Sequence, residues 1–107
     1  MADFAVTSSR EAGSLVVAPT GELDIATADA VRAEVEQRRG DEGLEIDLSG
    51  VDFLDTSGIQ LIVESHRAAR AEGFELSVHR APPGVQRVFE IAGLEGVLPF
   101  VDGDGRA

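Results

Sequence analysis

The stretch Asp52-Phe53-Leu54-Asp55-Thr56-Ser57-Gly58-Ile59 holds the residues of this chain whose types and spacing could do chemistry: two carboxylates three positions apart, two adjacent hydroxyls and a glycine. Three chemistries compete there. Asp55-Thr56-Ser57-Gly58 could supply one carboxylate of a dimeric acid–base dyad, but it carries one residue too many for an Asp-Thr-Gly loop and runs into a helical pattern. Asp52 and Asp55 could be a nucleophile and its partner in phosphoryl transfer, but an Asp-x-Asp loop needs a spacing of two. In the third, Ser57 is acted upon: a hydroxyl at a helix start can carry a phosphoryl group, which free backbone N–H groups and the positive helix end would accommodate. The structural alternative is that Ser57 or Thr56 simply caps the helix, worth about 1 kcal/mol.

Other chemistry is poorly served. The chain has no lysine and no Gly-x-Gly-x-x-Gly, so a phosphate-cradling loop of the P-loop type is excluded. His66 and His79 stand thirteen positions apart, without the spacing that puts two imidazoles on one metal, and read as structural or surface residues. Asp102-Gly103-Asp104-Gly105 starts like a calcium loop but lacks the distal Glu. With no cysteine, disulfides and thiol catalysis are absent. No cofactor, metal or catalytic residue is implied.

The elements that must position Asp52–Ile59 follow from periodicity. Phe4 and Val6 alternate with polar neighbours and Leu15-Val16-Val17-Ala18 follow Glu11-Ala12-Gly13, which predicts a strand hairpin ended by Pro19-Thr20-Gly21. Asp24 or Thr27 caps a helix with Ala28, Val31 and Val35 on one face, Arg38-Arg39 in its last turn and Gly40 at its end. Leu44, Ile46 and Leu48 alternate as a strand that Ser49-Gly50 breaks. A broad apolar helix runs from Ser57 to about Glu72 and stops at Gly73. Phe74, Leu76 and Val78 form another strand. Pro82-Pro83 open a helix with Val85, Val88, Phe89 and Ala92 inward, ended by a Schellman turn at Gly93-Leu94. Val97–Val101 carries a proline and is placed at a sheet edge, and 102–107 as a frayed, flexible tail. The order predicts an α/β fold: a mixed β-sheet covered by α-helices, one domain over 1–107 with its core at about 4–101.

Composition sets further limits. The 107 residues include 43% hydrophobic types, enough for a single self-sufficient core. The net charge of −11, with neither Trp nor Tyr, argues against nucleic acid and anionic membranes and for basic protein partners. Met1-Ala2-Asp3-Phe4 has no positive n-region and the apolar runs are short, so the chain is expected to be cytoplasmic and non-membrane.

A resemblance then joins these pieces. Asp47-Leu48-Ser49-Gly50-Val51-Asp52-Phe53-Leu54-Asp55-Thr56-Ser57-Gly58-Ile59 resembles the signature of the STAS domain, in particular of the bacterial anti-sigma-factor antagonists, in which Asp-Ser-Ser-Gly or Asp-Thr-Ser-Gly opens a helix. Gly21-Glu22-Leu23-Asp24 is similar to the family's Gly-x-Leu-Asp, and Val88–Leu94 to its final helix ending in Gly-Leu. The similarity spans Phe4 to Val101 in one order of elements.

That resemblance implies a partner-switching protein, not an enzyme. Ser57 would be phosphorylated by an anti-sigma factor that is itself a serine kinase of the histidine-kinase-like ATPase fold. The unphosphorylated form would bind that factor and release the sigma factor, and a PP2C-type phosphatase would restore it. Asp24 would lie near Ser57, and Asp24, Asp55, Thr56, Ser57 and Gly58 would form the docking surface of a monomer. The alternative within the family is an unphosphorylated interaction subunit, as in a lipid-transport ABC complex or a stressosome-type scaffold.

Overall fold

The computed structural model describes residues 4–102; Met1–Asp3 and most of the expected tail, Gly103–Ala107, lie outside them. The hairpin forms as expected. β1 (Ala5–Glu11) pairs antiparallel with β2 (Ser14–Leu23) in unbroken register from Ala5↔Thr20 to Glu11↔Ser14. The two-residue connection has Ala12 at φ 50° and Gly13 at φ 84°, the pair of positive angles that a type I′ turn requires.

β2 departs from the sequence reading. It does not end at Pro19-Thr20-Gly21 but continues to Leu23. Its neighbour changes there: β3 (Gly43–Asp47) pairs parallel with Ser14–Val17, and β4 (Gly50–Leu54) pairs parallel with Thr20–Leu23. Pro19 falls in the gap between these two parallel ladders, where its missing N–H breaks neither.

β4 is the second departure. Gly50–Leu54 is a strand, not part of the turn-forming cluster that the polar residues suggested. Gly21 pairs with Val51 and Glu22 with Phe53, so Asp52 is the extra residue of a bulge. Val51 and Leu54 are buried while Asp52 and Phe53 both face outward, which erases the period of two in the sequence.

The sheet runs β1-β2-β3, with β4 on β2, and continues through Leu76–His79 (β5) to Phe100–Val101 (β6). β5 starts two residues later than expected, and β6 is the short edge piece. Leu15, Val17, Leu44, Ile46 and Val78 point to one side, where Val31 of α1 (Ala28–Val35), Leu61 and Ile62 of α2 (Thr56–Glu72) and Phe89 of α3 (Pro83–Ile91) close over them. Phe89 meets Phe100 edge-to-face at 5.1 Å.

Helix ends carry their own reasons. α1 stops at Val35, so Arg38 and Arg39 lie beyond it. Arg38 donates to the carbonyls of Gly40 and Glu42 and lies 3.7 Å over the Phe74 ring, stitching the connection to β3. Gly73 ends α2 at φ 80°. Gly93 donates to the Glu90 carbonyl and Leu94 to that of Phe89, the Schellman pair expected from the sequence.

Candidate functional site

The site begins where two parallel neighbours end together. Leu23 of β2 is paired with Leu54 of β4, so Asp24 and Asp55 leave the sheet side by side, each into the turn before a helix. The N–H of Asp55 donates to the Leu23 carbonyl at 3.3 Å, holding the two exits together.

Each carboxylate organises its own turn. Asp24 Oδ1 accepts from the Ala26 N–H at 3.0 Å and lies 3.2 Å from Thr27 Oγ1, while Thr27 Oγ1 accepts from the Asp24 N–H at 3.0 Å and donates to the Glu22 carbonyl at 2.7 Å. Asp24 thus shapes the entry to α1, whose N-cap residue is Thr27. Asp55 Oδ1 accepts from the N–H groups of Ser57 at 2.8 Å and Gly58 at 3.4 Å. The cap of α2 is therefore Asp55, not Ser57 or Thr56, because only the residue before the first turn can point its oxygen back at the N–H groups behind it. In the unmodified chain the same bonds occupy two of the N–H groups at this helix start, those of Ser57 and Gly58.

Thr56 is exposed and Ser57 half-buried, at the first two positions of α2. Gly58 is buried beneath them. A Cβ there would stand 2.4 Å from Leu54 Cδ1 and 3.0 Å from both Leu23 Cγ and the Leu23 carbonyl oxygen. Glycine at this position lets α2 start directly against the β2–β4 pair, and so sets the depth of both hydroxyls. Asp24, Asp55, Thr56, Ser57 and Gly58 are brought to one corner of the molecule.

Two apolar side chains at this end were not singled out from the sequence. Ile25 is 80% exposed beside Asp24, and Phe53 is 48% exposed beside Leu54. Nothing in the periodicity marks Phe53, because the bulge at Asp52 turns it outward. The histidines lie elsewhere in the chain: His66 is half-buried on α2, and buried His79, paired in register with Asp47, holds Nε2 2.9 Å from Glu45 Oε1. Among the described residues no three His, Asp or Glu side chains converge to hold a metal ion, and no helix is long and apolar enough to cross a membrane.

A mixed sheet whose neighbouring parallel strands each deliver an aspartate to a helix start, with hydroxyls following one of them, defines an α/β domain with one polar corner. The sequence model described as "Mlab, STAS domain" matches residues 6–101, and the chain belongs to the STAS domain family. It is 33% identical over 98 residues to the anti-sigma F factor antagonist of Paenibacillus polymyxa, covering 89% of this chain and 84% of that protein. Its structure is similar to that of the anti-sigma factor antagonist SpoIIAA in its unphosphorylated form, with a TM-score of 0.74 at 22% identity over 92% of this chain and 87% of that one. For the Bacillus cell fate determinant SpoIIAA in the phosphorylated form the TM-score is 0.71 at 21% identity, over 92% and 90%. At those identities the structural likeness concerns the fold. Both the Paenibacillus polymyxa relative and the unphosphorylated SpoIIAA carry the name anti-sigma factor antagonist.

Proposed function

We propose that this chain is an anti-sigma factor antagonist that works as a phosphorylation-controlled binding module. Unphosphorylated, it binds an anti-sigma factor through Asp24, Asp55, Thr56, Ser57 and Gly58 and frees the sigma factor; phosphorylation of Ser57 ends the binding. The observation that carries this reading is the Leu23–Leu54 pairing, which sets Asp24 beside the Asp55–Ser57 turn. A curated relative named as an anti-sigma F factor antagonist and a structural neighbour described in a phosphorylated form support it.

The electrostatics suit a switch. A phosphoryl group adds about −1.5 to −2 charges at a corner that already holds Asp24 and Asp55. Docking would bury those charges in a contact surface made for a neutral hydroxyl, and taking an ion out of water costs several kcal/mol. About 2.7 kcal/mol is a hundredfold in affinity.

The anti-sigma factor is a serine kinase of the histidine-kinase-like ATPase fold in this reading, and a PP2C-type phosphatase reverses the modification. The protein is a cytoplasmic monomer without cofactor or catalytic residues, and a single domain. The greater exposure of Thr56 favours a second reading, in which that hydroxyl carries the phosphate.

Phosphopeptide mapping after incubation with Mg-ATP in lysate of the source cells tests both readings. Wild type and Thr56→Ala should acquire a phosphate on Ser57 and co-precipitate a sigma-factor-binding kinase, while Ser57→Ala should bind without being modified. Phosphate on Thr56 alone would move the switch one residue. No phosphate on any variant, with an ABC ATPase or a large scaffold in the precipitate, would make the chain a fixed interaction subunit.

A further inference from the structure

Between β4 and the first turns of α3 lies an open groove of about 380 Å³, walled by Phe53, Leu54, Pro82, Gly84, Val85 and Val88, with Asp52 on its rim. Its origin is local. The bulge at Asp52 turns Phe53 outward, and the Pro82-Pro83 start of α3 sets the helix against β4 with Val85 and Val88 half-buried. Gly84 leaves the mouth clear, since a Cβ there would meet nothing within 4 Å.

Two features say what occupies it. The groove adjoins the proposed docking corner along the chain: its wall residue Leu54 is followed at once by Asp55, Thr56 and Ser57. Its charge is one-sided: Asp52 is the only ionisable residue of its lining, beside a corner holding Asp24 and Asp55 in a chain of net charge −11. An apolar slot with an acidic rim fits an apolar side chain flanked by cations.

We propose that this groove is the apolar anchor site for the anti-sigma factor, taking a large aliphatic or aromatic side chain that the partner presents between arginines or lysines. This rests on the reading of the preceding subsection and divides its interface in two. The groove supplies binding that salt hardly affects, since burial of apolar surface is not screened. The Ser57 corner supplies the charge-dependent switch.

The test titrates the purified anti-sigma factor against wild type, Gly84→Gln, Phe53→Ser and Ser57→Asp at low and high salt. Gly84→Gln carries a side chain across the mouth without meeting the core and replaces a poor helix former, so its urea midpoint should be equal to or above that of wild type. It should bind at least tenfold more weakly, with an unchanged salt dependence, and Phe53→Ser should do the same; should Phe53→Ser unfold, Gly84→Gln decides alone. Ser57→Asp should weaken binding with an altered salt dependence. Groove variants within twofold of wild type would overturn the anchor site, whether or not Ser57→Asp binds weakly. Weak binding by the groove variants with wild-type binding by Ser57→Asp would keep the anchor and discard the Ser57 switch.

Discussion

The backbone N–H of Asp55 hydrogen-bonds the carbonyl oxygen of Leu23 at 3.3 Å, tying the start of α2 to the residue immediately before Asp24. Strand pairing and helix capping meet at this contact. The Asp55 main chain extends the β2–β4 pairing while its side chain holds the first N–H groups of α2.

Asp55 therefore has a structural role separable from its charge. Asp55→Ala should lower stability by about 1 kcal/mol through loss of the cap, whereas Asp55→Asn, whose amide oxygen caps as well, should stay close to wild type in urea denaturation. If Asp55→Asn still fails to bind the anti-sigma factor, the charge itself is read by the partner. An Asp55→Ala protein as stable as wild type would mean that the cap contributes nothing.

Gly58→Ala places a methyl group against Leu54 Cδ1 and the Leu23 carbonyl. Leu54 is able to rotate, but the carbonyl belongs to the paired strand and does not yield easily. We expect a loss of about 1–3 kcal/mol from overpacking, read as a lower urea midpoint at unchanged slope. Retention of the wild-type midpoint would show that α2 can shift outward at no cost.

Acid should destabilise the fold in a way traceable to Glu95 and Glu42. The Gln86 amide and the Arg80 guanidinium, both bonded to Glu95, hold its carboxyl below the ordinary value of 4.5. The Arg10 side chain and the Arg39 N–H do the same for Glu42. A carboxyl whose pKa is lower in the folded state stabilises fully above the unfolded value, and that contribution is lost as the pH falls through the folded one. Stability should thus decline below about pH 4.5, and less steeply in Glu95→Gln. Parallel acid slopes for Glu95→Gln and wild type would remove Glu95 from this account.

The hairpin turn should accept an easy improvement. Ala12 is the one non-glycine residue with positive φ, at 50°, among the described residues, and a side chain without a local hydrogen bond is strained there by about 1 kcal/mol. Ala12→Asn, giving the Asn-Gly pair that type I′ turns favour, should raise stability by about 1 kcal/mol, or Tm by roughly 4–8 °C. An unchanged or lower Tm would mean that the turn carries no strain.

The sequence by itself determined the local elements: the β1–β2 hairpin, the three helices, the stops at Gly73 and Gly93, and the short edge piece at Phe100. It also marked Asp55–Gly58, since a polar cluster between an apolar strand and an apolar helix stands out in any single chain. It did not place Asp24 beside that cluster; only the family resemblance suggested it, because periodicity reports which face of one element is buried and not which strand lies next to it. The passage of β2 through Pro19, the strand Gly50–Leu54 and the outward Phe53 were decided by the tertiary structure for the same reason. Proline is harmless only where two parallel ladders part, and a bulge at Asp52 makes sense only opposite Gly21 and Glu22 of another strand. Pairing between residues some thirty positions apart is a property of the folded sheet, and it is this pairing that turns two ordinary helix starts into one site.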